Sequence, residues 1–61
     1  MPEQKIKYVV RRKGTNTYWS DNVDSYWDKI NYAKAYSINE KISSSEELIA
    51  LHPNGMKEVI R

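Results

Sequence analysis

The chain has no cysteine and no phenylalanine, two glycines, two prolines and a single histidine in 61 residues. Without cysteine there is no disulfide framework, no thiolate nucleophile and no Cys-based zinc site. His52 has no second imidazole with which to share a metal, and no serine or carboxylate stands at a catalytic spacing from it. Glycine-rich phosphate loops, H-E-x-x-H and G-x-S-x-G are missing too. No stretch comes near the roughly 20 apolar residues that cross a bilayer. Met1–Lys5 contain no apolar run of the kind a secretory leader carries, so the expected location is the cytoplasm, with no membrane partner.

Aliphatic residues are scarce as well. Ile, Val and Leu make up 12 of the 61 residues, just under the roughly 20% below which chains tend to stay disordered. Two features favour a folded state. Ten Lys and Arg against eight Asp and Glu leave a net charge of only +2, and five Tyr with two Trp add large buriable faces. A chain this short buries only about 60% of the surface its unfolded form exposes, which leaves little room for a deep catalytic pocket. The expectation is one domain over residues 1–61 that binds rather than catalyses, with no cofactor and no metal. A bound partner or a second copy would add buried area that so thin a core lacks.

Residues 5–20 carry the clearest local pattern: Ile6 to Arg12, then Lys13-Gly14-Thr15-Asn16, then Thr17 to Ser20. A hairpin closed by a two-residue Gly14-Thr15 loop, with Gly at the positive-φ position, sets Arg11 opposite Tyr18 and Val10 opposite Trp19. That register segregates Ile6, Tyr8, Val10, Thr17 and Trp19 onto one face, expected to be buried. Lys7, Val9, Arg11, Tyr18 and Ser20 fall on the other, expected to face solvent.

Beyond the hairpin the pattern suggests helices. Asp21, Asp24 and Asp28 form an acidic loop in which Asp24 or Ser25 would cap a short helix, with Tyr26, Ile30, Ala33 and Ser37 at helical spacing. The loop lacks the glycine and terminal glutamate of a calcium loop. Residues 37–42 read as a brief extended stretch. Ser43 with Glu46, and Ser44 with Glu47, fit the S-x-x-E capping box and predict a second helix through Leu51. Pro53 then disfavours helical dihedrals at His52, Asn54-Gly55 supplies a turn, and Met56–Arg61 reads as a final edge strand. The expected fold class is α+β: a small antiparallel sheet, built from the N-terminal β-hairpin and the C-terminal strand, with one or two short helices packed on one face.

Charge is sorted along the chain. Residues 1–20 hold Lys5, Lys7, Arg11, Arg12 and Lys13 against Glu3, a net of +4, and the next eight hold three aspartates. The bland reading of the basic hairpin is a solvated sheet face with lysines guarding an edge. Tyr8, Trp19 and Trp27 read as core. Four more rings, on Tyr18, Tyr26, Tyr32 and Tyr36, exceed what so small an interior can hide, and with the Arg11, Arg12, Lys13 tip they make the candidate partner-binding surface. The partner expected first is a protein. A single-stranded nucleic acid, tracked by Lys7, Arg11 and Lys13 with a base stacked on Tyr18, is the alternative from another class. A homodimer that buries the aromatics against a twin subunit is the third.

Lys7-Tyr8-Val9-Val10-Arg11, Tyr18-Trp19-Ser20, Trp27, Ile30, Ala33-Lys34-Ala35-Tyr36-Ser37 and Glu46-Glu47-Leu48 together resemble a degenerate pattern of short bacteriophage and prophage proteins, over residues 6–51. Tyr36 stands where Phe is common there, and Ile38–Ser45 is an insertion by comparison. The resemblance implies a small ββα architecture and a protein that binds and inhibits or redirects a bacterial host protein. It assigns no functional residue.

Overall fold

A computed structural model of the chain describes residues 5–61; Met1–Gln4, with the Glu3 counted above, lie outside the described residues. Five strands form one sheet: β1 (Lys7–Arg12), β2 (Tyr18–Ser20), β3 (Ser25–Trp27), β4 (Glu46–Leu51) and β5 (Lys57–Val59). Their order across the sheet is β3-β2-β1-β4-β5, and all neighbours run antiparallel. The described residues contain no α-helix, only a single 3-10 turn at Ile30–Tyr32. The fold is therefore mostly β, and the α+β expectation with packed helices is overturned. No helix among the described residues is long and apolar enough to cross a membrane.

Both predicted helices fail for identifiable reasons. The segment after the acidic loop does not coil, because Ser25–Trp27 pairs with β2 through Tyr18↔Trp27, Trp19↔Tyr26 and Ser20↔Ser25. Asp24 caps nothing there; it sits at φ 51, in the left-handed region that Asp tolerates, and closes the β2–β3 hairpin. The second predicted helix is β4, next to the centre of the sheet. Half of its capping box nevertheless forms, since the Ser43 N–H donates to Glu46 Oε1 at 3.0 Å and the Glu46 N–H returns to the Ser43 carbonyl at 3.1 Å. This pair closes a turn that leads into a strand. Leu48, Ile49 and Ala50 are buried in succession, so the run points to both faces of a sheet, a case periodicity cannot separate from a buried helix. Residues 37–42 form no strand; the Glu40 N–H to Ser37 carbonyl bond turns the chain instead.

The hairpin register is as expected, with Arg11 opposite Tyr18, but its loop is longer. Thr15 N–H donates to the Arg12 carbonyl across Gly14, whose φ of 77 supplies the required handedness. Lys13 N–H goes instead to the Ser45 carbonyl and so prolongs the β1–β4 pairing, which runs from Lys7↔Leu51 to Arg12↔Glu46. The Asn54-Gly55 turn and a final edge strand are as expected, with Gly55 at φ 92 and the His52 N–H bonded to the Met56 carbonyl, but the strand covers Lys57–Val59 and the turn joins it to a strand and not to a helix.

The segregation into two faces holds, but the burial does not follow it. Val9 and Tyr18 belong to the face predicted for solvent, yet with Ala33 and with Ile49, from the segment predicted as a helix, they make the buried cluster, against which Ile30 and Leu51 pack. Residues 30–33 roof this face, and buried Ser20 ties the roof down by donating to the Tyr32 carbonyl at 2.8 Å and accepting from Asn22 N–H. On the opposite face Val10, Leu48 and Ala50 are buried too. The chain then passes from the roof toward β1 and β2: Lys34 N–H bonds the Trp19 carbonyl, and Tyr36 N–H the Tyr8 carbonyl.

Beyond β5 the pairing is irregular. Ile60 N–H donates to the Leu48 carbonyl, whereas Leu48 N–H donates to the carbonyl of Arg61. Two residues thus oppose one, which is a β-bulge, and it re-aims the side chain of Arg61.

Candidate functional site

Strand alternation and the observed registers place Tyr8, Val10, Arg12, Trp19, Tyr26, Glu46, Leu48 and Ala50 on one face of the sheet. Its rings remain half-buried, and they are joined. Trp19 and Tyr26 meet edge to face at 5.4 Å between centroids. The Arg12 guanidinium lies 5.7 Å from the Tyr26 ring centroid, and the Lys34 ammonium 5.1 Å from that of Tyr36. The Tyr26 hydroxyl donates to Glu46 Oε2.

Electrostatics in this cluster are set by Glu46. Burial alone would raise its pKa, but the Tyr26 hydroxyl and Ser43 N–H outweigh that and hold it below the usual 4.5. The Tyr26 phenol is pushed above its usual 10.0, first by its hydrogen bond to Glu46 and then by burial, so it stays a neutral donor. Tyr36 is raised as well, by burial first and then by Glu46.

Among the residues expected to bind a partner, the structure brings Arg12, Tyr26 and Tyr36 together on this face, sets Lys13 in the lining of a groove beside it, and disperses the rest. Arg11 lies on the roofed face, where Nε and Nη2 both reach Glu47 Oε1, at 3.1 and 2.9 Å. Tyr18 is 3% exposed and belongs to the core. No base can stack on it, and Arg11 is already paired, which removes the Arg11–Tyr18 platform of the nucleic-acid reading. Tyr32 is exposed, at 52%, but on the roof side, where it stacks on Trp27 at 5.1 Å.

Lys34, Lys41 and Arg61 were not named for the binding surface from the sequence, Trp19 was assigned to the core, and Glu46 was assigned to a helix cap. One signal could have found Glu46: Arg11-Arg12 and Glu46-Glu47 are doublets of opposite charge, and an antiparallel pairing of the two segments sets them against each other. Next to the aromatic face, Lys13, Lys41, Arg61, Ile42 and Ser44 help line a groove of about 460 Å³. The bulge turns Arg61 toward it, and Arg61 Nη2 holds the Glu40 carbonyl at 2.5 Å. The chain matches no protein-family model, no curated protein and no solved structure.

Proposed function

We propose that this protein is a non-enzymatic binding module that engages a protein partner through the face carrying Arg12, Trp19, Tyr26, Lys34 and Tyr36. One observation carries the reading. Four half-buried rings and two exposed cations are gathered on one side of the sheet, whereas the other side is roofed over Val9, Tyr18 and Ile49 and carries the Trp27–Tyr32 stack beside the roof, and Tyr, Trp and Arg are the residue types that dominate binding hot spots. The rings already lie in fixed mutual geometry, so little side-chain freedom is lost when they dock. The ββα architecture implied by the resemblance of residues 6–51 to phage proteins is not the one observed, so a bacterial host protein enters here only as the partner class to be tested.

The test compares baits in a bacterial lysate. Arg12→Glu with Lys34→Glu reverses two exposed cations that rest on rings, and Lys57→Glu reverses one on the far edge. A stoichiometric protein captured by the wild type and by Lys57→Glu, but lost with the double variant, supports the reading; equal capture by all three baits overturns it. Single-stranded nucleic acid remains the second reading, because Arg12 and Lys34 flank aromatic rings. It requires affinity for a thymidine oligonucleotide that falls steeply with salt.

A further inference from the structure

The groove beside the aromatic face has a chemistry of its own. Its lining brings three cations from three separate parts of the chain: Lys13 from the β1–β2 loop, Lys41 from the turn before β4, and Arg61 from the bulge. Among the described residues none of the three makes an ion pair; the two ion pairs found are Arg11–Glu47 and His52–Glu58. The lining also holds two acids, of which Glu40 is exposed and Glu46 is half-buried and already engaged. Glu46 gives one carboxylate oxygen to the Tyr26 hydroxyl and the other to the Ser43 N–H. Three cations against two carboxylates leave the side chains of the groove with one net positive charge, and the half-buried apolar side chain of Ile42 lies among them. Arg61 is held in place by the Glu40 carbonyl through one nitrogen, which leaves the rest of its planar fork for a second acceptor.

We infer that this groove receives an acidic peptide segment, its carboxylates against Lys13, Lys41 and Arg61 and an apolar side chain against Ile42. One feature favours a peptide over a bare anion: an apolar residue lies among the cations, which a phosphate would leave unused. The volume falls in the range of roughly 300–1,000 Å³ typical of ligand pockets. The inference deepens the protein-partner reading by naming the chemistry of the segment that docks beside the rings.

The experiment is an NMR titration of the full chain, isotopically labelled, with a short capped peptide of alternating Glu and Leu. Saturable shifts of the Lys41, Ser43, Ser44 and Arg61 amides are expected, together with about tenfold weaker binding in Lys41→Glu, whose side chain is exposed and whose fold is checked by its spectrum. A Lys and Leu peptide should move none of them. Absence of shifts, equal shifts by the basic peptide, or unchanged affinity in Lys41→Glu overturns the inference. Inorganic phosphate matching the peptide in affinity and in the amides moved also overturns it, since the apolar contact would then count for nothing. Lys41 lies outside the ring cluster. Hence, if Lys41→Glu still captures a lysate partner that the Arg12, Lys34 variant loses, the groove inference fails and the binding face stands.

Discussion

The same strands, β1 and β4, bury residues on both sides of the sheet, yet the two sides are finished differently. On one, Val9, Tyr18 and Ile49 lie under main chain, with Ile30 and Ala33 pressed down and Ser20 pinning the Tyr32 carbonyl. On the other, Val10, Leu48 and Ala50 share a face with Tyr8, Trp19 and Tyr26, rings that keep part of their surface in water. A backbone roof spends its surface on closure. A roof of side chains leaves amphipathic rings and cations presented outward, and it holds a titrating pair, Tyr26 and Glu46, at its edge. Stability and recognition therefore reside on separate sides of so small a chain: closure on one, presentation on the other.

Cutting into the closed side should cost most. Ile49→Ala removes a fully buried side chain and is expected to destabilise by about 2–5 kcal/mol, enough to leave the chain largely unfolded in a urea or thermal melt. Ser20→Ala leaves the Tyr32 carbonyl and the Asn22 N–H without their partner, and a loss of about 1–3 kcal/mol is expected in the same melt. If it were neutral, the roof would not be held as described.

The open side should respond more mildly and through pH. Tyr26→Phe removes one hydrogen bond to a partly solvated carboxylate, a loss of about 1 kcal/mol at neutral pH. Glu46 is depressed in the folded state, so its contribution is present above its unfolded pKa and is lost as pH falls through the folded value, below 4.5. Tyr26 is raised, so its contribution is present below 10.0 and is lost as pH rises through the folded value. Stability followed from acid to alkali should therefore fall at both ends in the wild type, and the decline contributed by this pair should be reduced at both in Tyr26→Phe. Smallest of all, Arg12→Ala should change stability by no more than about 0.5 kcal/mol, since its side chain is exposed, while weakening any partner bound to this face. A larger effect in the melt would move Arg12 from presentation to closure and blur the contrast.

Turns were legible in the sequence and layers were not. Gly14, Asn54-Gly55 and the Ser43–Glu46 box all mark places where the chain does turn, because each acts through bonds a few residues apart. The Arg11–Tyr18 register was legible too, since alternation on both strands constrains it. What lay beyond reach was the partner of Glu46–Leu51, a segment more than thirty residues from β1 in sequence; its local capping signal is equally at home before a helix or a strand. The same gap misplaced the water. Val9 and Tyr18 stand among Lys7 and Arg11 along β1 and β2, and only the distant arrival of Ile30, Ala33 and Glu47 buries Val9 and Tyr18 and neutralises the guanidinium. Of the candidate surface, Arg12, Lys13, Tyr26 and Tyr36 were named from charge and aromatic surplus alone. Lys41 and Arg61 needed the bulge and the turn to be brought alongside.

The short edge strand β5 carries a consequence for association. A twofold axis sets the central residue of a strand opposite its own copy. Centred on Lys57 or Glu58, two β5 strands would oppose like charges directly. Both of these symmetric registers meet electrostatic repulsion. The margin of the sheet thus penalises extension by its own duplicates in these registers, while a foreign strand with complementary charge meets no such barrier.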